Sequence, residues 1–382
     1  MFRPLILAVL LGLTACSAAP DAPSSPTAPV VEEKAKAALT VTPASGEGIS
    51  PAGPFQVGVT GGSLTAVALT GEGGRVVKGE LTADKWVATE DLGYDKVYTW
   101  SGSAKGADGA EVPVTGSFRT LKPQRLISVE SNVGDHQTYG IAMPIKMTFS
   151  APVQDKASVQ KAMTVTTSVP TEGSWAWLSD TEAHWRPRDY WKPNTEVSVD
   201  VNVYGVPFGG GAYGADDLHV QFKIADRALV AKANTQTHRF EIWRDGVLLH
   251  DFPASYGLET DRGRVTRSGT HVVMQKEAKR TMCNKAYNYC DVPVTWAVLI
   301  SNNGEFVHEY ADSMWAQGKQ NVSHGCANLS PADAKTFFNL TMIGDPVEVL
   351  NSSVHLSEEK QFDYYDWALD WAAWTSKSAV TP

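Results

Sequence analysis

The chain has 382 residues and 41.2 kDa, room for roughly two to four domains. With 33 Lys+Arg against 42 Asp+Glu, its formal charge is −9, so it has no basic field to hold a polyanion, and no nucleic-acid partner is expected. A hydrophobic share of 43% with mean hydropathy −0.20 fits globular domains. No apolar run approaches the roughly 20 residues that span a bilayer, which excludes a multi-span membrane protein.

Residues 1–15 read as an export signal. Met1-Phe2-Arg3 precedes an apolar run from Leu5 to Ala15, eleven residues, too short to span and of h-region length. The run closes on Leu13-Thr14-Ala15-Cys16, a lipobox-like ending in which Cys16 becomes the lipidated first residue. Plain secretory cleavage near Ala15 is the alternative, and it would leave an odd thiol in an oxidising space. Lipidation predicts attachment to the extracytoplasmic face of the cell membrane through the anchor only. Residues 16–38 shift to Ala, Pro, Ser and Glu, with Pro20, Pro23, Pro26 and Pro29 at every third position. Such a stretch predicts a semi-rigid tether reaching up to ~70 Å at ~3.1 Å per residue.

Residues 39–121 carry short alternating runs between Gly-rich turns, at 55–60, 64–70, 96–100 and 116–120, which predicts an immunoglobulin-like β-sandwich. Residues 122–224 repeat the theme at 144–150, 164–168, 174–178, 196–203 and 219–224 and predict a second sandwich. One short helix over 155–163 interrupts it, with Val159 and Met163 as the buried stripe. Trp175, Trp177, Trp185 and Trp191 lie in its strands, where core positions are expected over a sugar platform. Asp216-Asp217 in a Gly-rich loop reads as a solvated turn, calcium being the alternative.

Residues 225–351 form a third region. Phe240 to Trp243 and Val247 to Leu249 flank Arg244-Asp245-Gly246, whose Asp-Gly supplies the positive φ of a hairpin turn. A strand over 295–301 turns at Asn302-Asn303-Gly304 into Glu305 to His308. Ser330-Pro331-Ala332-Asp333 then gives an N-cap, a proline at the first helical position and an acidic third residue ahead of Ala334, Phe337 and Phe338. Gly344-Asp345-Pro346 ends that helical segment before a strand over 347–350. Residues 352–382 hold Trp367, Trp371 and Trp374 at i, i+4 and i+7 and predict a helical tail packed on the third region.

If Cys16 carries lipid, three cysteines remain. Cys283 and Cys290 lie seven apart in a polar stretch, a spacing that a looped segment can close into a disulfide, with zinc ligation or two free thiols as alternatives. Cys326 then stands alone. It sits in Ser323-His324-Gly325-Cys326-Ala327-Asn328, which follows His308 after a gap of 14 residues. A thiol, two imidazoles, a glycine that lets a carbonyl approach and an amide are the parts of thiol acyl transfer. The thiolate attacks a carbonyl, an imidazole shuttles the proton, and backbone N–H groups near the glycine hold the oxyanion. On spacing alone, His-x-Cys with a distant His also suits zinc or a structural pair.

His308 and Ser323 to Asn328 together resemble the signature of the L,D-transpeptidases with the YkuD catalytic domain. The resemblance extends through Trp175-Ala176-Trp177-Leu178, His184-Trp185-Arg186-Pro187 and Tyr190-Trp191-Lys192-Pro193, as in lipid-anchored actinobacterial members. It implies a mainly β chain of two immunoglobulin-like sandwiches, a YkuD-type catalytic domain with a short helix, and a helical tail. By the same resemblance Cys326 is the nucleophile, His308 the general base and acid, Gly325 and Cys326 the oxyanion donors, and His324, Ser323 and Asn328 shape the site. Tyr289 takes the place of a substrate-side tyrosine. Asn303, Gly304 and Asn321 lie beside the catalytic elements in sequence, and the Cys283 to Cys290 segment stands where relatives carry a flap. The implied partners are donor and acceptor peptidoglycan stems, with carbapenems as inhibitors; the resemblance brings no cofactor and no metal. The implied product is a 3→3 cross-link. An L,D-carboxypeptidase-type hydrolase and a non-catalytic wall-binding lipoprotein are the competing functions.

Overall fold

The computed structural model describes residues 34–357 and 365–380; Cys16 and the segment read as an export signal lie outside the described residues. The N-terminal part is a two-sheet sandwich. One sheet runs in the order Ala38–Thr42, Gln56–Thr60, Lys85–Ala88, Gly79–Leu81. The other runs Ser45–Ile49, Gly116–Thr120, Val97–Gly106, Gly62–Gly71, and Glu111–Pro113 pairs with Val97–Gly106. Alternating side chains meet between the sheets, where Phe55 stacks on Phe118 at 5.5 Å and Trp86 meets Trp100 edge-on at 5.4 Å.

The second sandwich pairs the sheet Val129–Ser131, Ile145–Phe149, Glu182–Pro187, Gly173–Trp177 with the sheet Gln137–Tyr139, Leu218–Ile224, Glu196–Val201, Met163–Thr167. Its helix is Lys156–Lys161, where the Asp155 side chain caps Ser158 N and Val159 is buried. Trp175, Trp177, Trp185 and Trp191 are all buried in the core, Trp185 stacking on Trp191 at 5.0 Å. Asp217 Oδ1 accepts from Tyr204 N at 2.7 Å, which ties the acidic loop to its neighbour. The sandwiches join through Tyr94 and Tyr204, whose rings lie 4.7 Å apart and whose hydroxyls donate to Gly214 O and Leu92 O.

Two sheets and one helix make the third region. The larger sheet is ordered Val247–Pro253, Arg239–Arg244, Leu229–Asn234, Pro346–Leu350, Gly269–Val272. The second is ordered Gln275–Asn284, Tyr289–Leu299, Phe306–Glu309, Ala327–Leu329. Between them packs the helix Pro331–Leu340: Ser330 Oγ accepts from Asp333 N, Phe337 meets Phe240 at 5.0 Å, and Phe338 meets Trp296 at 5.3 Å. The turn Asp245-Gly246 has φ of 52° and 81°, as its Asp-Gly chemistry demands. Gly140 of the second sandwich lies so close to Asp345 N that a Cβ would stand 2.2 Å from it, and only glycine permits this seam between the two units.

The tail adds a second partner to the one expected from sequence. Tyr365–Ala368 and Trp371–Thr375 are two short helices, and they clasp the second sandwich. Arg186 of that sandwich lies over Trp367, Trp371 and Trp374 at 4.6, 5.4 and 4.8 Å, and its Nε and Nη2 donate to Asp366 O and Leu369 O. Beside it the buried His184 Nδ1 donates to Asp366 Oδ1 at 2.7 Å. Trp374 Nε1 reaches Ser174 O and Trp367 Nε1 reaches Ala142 O. A buried guanidinium needs carbonyls and aromatic faces, and the tail supplies both. The helix Tyr365–Ala368 also lies against the strand Gly269–Val272, so the tail bridges the second sandwich and the third region. Among the described residues no helix is long and apolar enough to cross a membrane.

Candidate active site

Two neighbouring strands set the site. Phe306–Glu309 and Ala327–Leu329 pair in parallel, His308 opposite Asn328 and Val307 opposite Ala327, so the residues before Ala327 emerge beside the His308 strand. The loop 322–326 is fixed by contacts from far away in sequence. Arg264 donates to Val322 O at 2.6 Å and to Ser323 O, while Thr266 Oγ1 donates to Gly325 O at 2.8 Å and accepts from Gly257 N. Ser323 Oγ donates to Cys326 O at 2.6 Å and accepts from Gly325 N at 3.1 Å. Ser323 therefore shapes the turn from within. Gly325 has φ of 120°, a conformation that glycine adopts without strain.

Cys326 and His308 line one cavity of about 330 Å³ together with Met282, Tyr289, Tyr310 and His324. Cys326 is partly exposed at the edge of a small apolar cluster containing Val294 and Phe306. These surroundings push its thiol up to about 12; the Phe306 backbone N–H favours the thiolate, Glu305 opposes it, and Arg280 favours it. His308 is 5% exposed. Its Nδ1 lies 2.7 Å from Glu309 O, and a carbonyl only accepts, so Nδ1 carries the proton and Nε2 is the basic nitrogen. Among the described residues Nε2 makes no hydrogen bond. Burial lowers the His308 pKa against the pull of Glu309, which keeps the ring neutral. A neutral imidazole in the same cavity as a neutral thiol offers a base for its proton as a carbonyl is attacked.

The remaining sequence candidates separate. His324 is exposed and lies 5.2 Å from the ring of Tyr287 and 5.0 Å from that of Tyr289; burial and then Arg264 lower its pKa. Both tyrosines come from a long hairpin, Gln275–Asn284 and Tyr289–Leu299, whose tip is closed by the Cys283–Cys290 disulfide and the 3-10 turn Lys285–Tyr287. The segment read as a flap is thus a β-hairpin, with Tyr287 packed so tightly on Gly263 that a Cβ there would stand 2.1 Å from its hydroxyl. Asn328 is buried and lines the cavity, and its Oδ1 has no hydrogen-bond partner among the described residues. Asn303 and Gly304 line a second, polar cavity of about 270 Å³ that shares Cys326, and Gly304 O lies 3.8 Å from the sulfur.

Two expectations are corrected by the geometry. Asn321 does not reach the cavity: its Oδ1 accepts from Tyr256 N and faces His238 Nδ1, while its Nδ2 donates to Thr235 O, so the amide braces the scaffold. The Gly325 N–H is committed to Ser323 Oγ, which leaves the Cys326 N–H as the donor nearest the sulfur in sequence. Sequence reasoning missed Arg264, Thr266, Tyr287 and the buried pair Arg267–Glu305 at 3.2 Å behind the loop, because none has a local signature. Among the described residues no group of three His, Cys, Asp or Glu side chains is arranged to hold a metal ion.

Comparison with known proteins gives this geometry relatives. The family profile described as the L,D-transpeptidase catalytic domain (YkuD) matches residues 228–349, and the profile of the bacterial Ig domain matches residues 46–207, across both sandwiches. The chain is 47% identical to L,D-transpeptidase 5 of Mycobacterium tuberculosis over 352 residues, covering 90% of this chain and 77% of that one. With L,D-transpeptidase 2 of the same species it shares 32% identity over 386 residues, 97% of this chain and 93% of that one. Among solved structures, the L,D-transpeptidase LdtMt1 in complex with imipenem superposes with a TM-score of 0.51 at 30% identity, over 60% of this chain and 100% of that one. Similarity that runs through the immunoglobulin-like part and the catalytic part alike makes this chain a member of the L,D-transpeptidase family.

Proposed function

We propose that the chain is a cysteine peptidoglycan L,D-transpeptidase that forms 3→3 cross-links. The observation that carries this reading is the shared cavity in which a partly exposed thiol lies with a buried imidazole whose Nδ1 is committed to a carbonyl. Cys326 sulfur attacks the carbonyl that precedes the terminal D-alanine of a donor tetrapeptide stem, and His308 Nε2 takes the thiol proton. The C–N bond then breaks, Nε2 passes the proton to the departing amine, and a thioester remains. A side-chain amine of an acceptor stem attacks that thioester; its proton goes to Nε2 and from there to the departing sulfur. One amide replaces another, so no nucleotide is needed outside the membrane. The Cys326 N–H holds the oxyanion.

The relative bound to imipenem supports the expectation that carbapenems acylate Cys326. The Leu13-Thr14-Ala15-Cys16 sequence supports lipid anchoring on the extracytoplasmic face of the cell membrane. Incubation with disaccharide-tetrapeptides, followed by mass spectrometry, should yield a cross-linked dimer with loss of D-alanine. Tripeptide alone would indicate the hydrolase, and unchanged substrate the non-catalytic wall-binding protein. Cys16→Ala should move the protein from the membrane fraction to the medium at unchanged catalytic rate; its retention in the membrane would contradict the anchor.

A further inference from the structure

All twelve tryptophans of the chain lie within the described residues, and eleven are buried or half-buried. Trp315 is the exception, 62% exposed, with Met314 beside it at 53%. Among the described residues the Trp315 indole makes no ring contact and no hydrogen bond.

The display is not the accident of a loose loop. Ser313, Ala316 and Gln317 are buried, Ser313 Oγ and Gln317 Nε2 both donate to Tyr310 O, and Gly318 N donates to Ala254 O. The loop is packed from within while it holds one indole in water. Its two ends, Tyr310 with Ser313 and Val322 with Ser323, are walls of the cavity that contains Cys326. Trp315 lies on the loop between these walls, two residues beyond Ser313.

From this we infer that Trp315, with Met314, is a stacking platform for the N-acetylated sugar ring that carries the donor stem. The inference rests on the proposed transpeptidase reading, which fixes what lies outside the cavity. A stem seated with its reacting carbonyl at Cys326 has three residues upstream, and at ~3.3–3.6 Å per extended residue these put the sugar roughly 10 Å from the sulfur, outside the cavity on its bank. A pyranose ring presents an apolar face of C–H groups and a polar rim. An exposed indole on a packed loop matches the face, and the rim stays in water. The interaction adds binding energy remote from the reacting atoms, so it acts on KM more than on kcat.

Two donors test it: the disaccharide-tetrapeptide and the same tetrapeptide without sugar. The wild-type protein should use the sugar-bearing donor with a KM roughly ten-fold lower. Trp315→Ala should abolish that preference while leaving turnover of the bare peptide unchanged, and Trp315→Phe should keep most of it. An undiminished preference in Trp315→Ala overturns the platform, and so does its absence in the wild type. Saturation-transfer NMR with the peptide-free disaccharide judges the platform without turnover: signal expected with wild type and lost in Trp315→Ala. If neither donor reacts but this difference persists, the catalytic reading fails and the platform stands. Equal signal from both proteins, or none from either, overturns it. A Trp315-dependent shift from dimer to monomer in sedimentation, without any sugar effect, would assign the indole to a second copy of the chain and also overturn it.

Discussion

Apolar surroundings act in opposite senses on the two side chains at the heart of the site: they push the partly exposed Cys326 thiol up to about 12 and lower the buried His308 imidazole. The resting pair is consequently neutral on both sides, unlike a preformed thiolate–imidazolium pair. Below its pKa a thiol gains thiolate about ten-fold per pH unit, so alkylation of the free enzyme by iodoacetamide should be slow at pH 7 and still rising at pH 10. A plateau reached by pH 8 would show that the thiol is already ionised. Because the His308 pKa is lowered, the neutral base should persist as pH falls through the usual imidazole range, and acylation should decline only below it. Cys326→Ala should reduce cross-linking at least ~10³-fold with the melting curve unchanged, since a small, partly exposed side chain is lost. His308→Ala should cost roughly 10²–10⁴-fold in the same assay. If only the pH profile moved, His324 would become the candidate base.

At the scale of elements, the hairpin Gln275–Asn284 and Tyr289–Leu299 governs access to the thiol, because Tyr287 and Tyr289 come from its tip and lie against His324. The disulfide closes that tip and keeps two further thiols from competing with Cys326. Changing both Cys283 and Cys290 to Ser should slow acylation by a carbapenem several-fold, and it should lower global stability by only about 1–2 kcal/mol. Stopped-flow acylation and urea melts measure the two effects, and unaltered acylation would show that the tip orders itself without the bridge. The sequence makes some of this readable and hides the rest for definite reasons. Ser330-Pro331-Ala332-Asp333 announces its helix because capping is local chemistry, and Asp245-Gly246 announces its turn for the same reason. The strand Gln275–Asn284 is hidden because its residues are mostly polar: exposed and half-buried positions alternate over 279–284, but the half-buried ones include Arg280 and Asn284, so no apolar alternation marks the strand. His308 and Cys326 declare themselves by residue type and spacing. The Arg264 clamp on Val322 and Ser323 is made across 58 and 59 residues and leaves no trace in either segment. Asn321 shows that nearness in sequence is not nearness in the site: it precedes Cys326 by five residues, yet its amide braces the scaffold.

For the whole molecule, the relation of the second sandwich to the catalytic part is fixed by two sets of contacts near the C-terminal end of the latter. Along the seam, Gly140 N and Ala142 N donate to Ile343 O and Gly344 O, and Tyr190 Oη reaches Glu348. The tail then returns from the catalytic part and locks onto Arg186. Replacing Arg186 with Met removes the charge while keeping much of the volume, and it should weaken tail docking by about 2–4 kcal/mol. Hydrogen exchange should reveal this as faster exchange over 365–380, with the amides of Leu229–Asn234 still protected. Uniform loss of protection across the catalytic core would mean instead that the tail is part of its folding unit. Two chain segments, not one, thus join the catalytic part to the sandwiches. A single linker would be a swivel, free to turn when the far end is pulled. The seam and the arginine clasp meet at Ala142, whose N–H donates to Gly344 O and whose carbonyl accepts from Trp367 Nε1, so the second chain segment braces the seam that the first one makes. If the proposed anchor holds the other end to a membrane while the substrate belongs to a wall under turgor, the molecule works as a stiff arm on a leash: the tether sets its radius, and the clasp keeps the cavity's heading fixed relative to the sandwiches under tension.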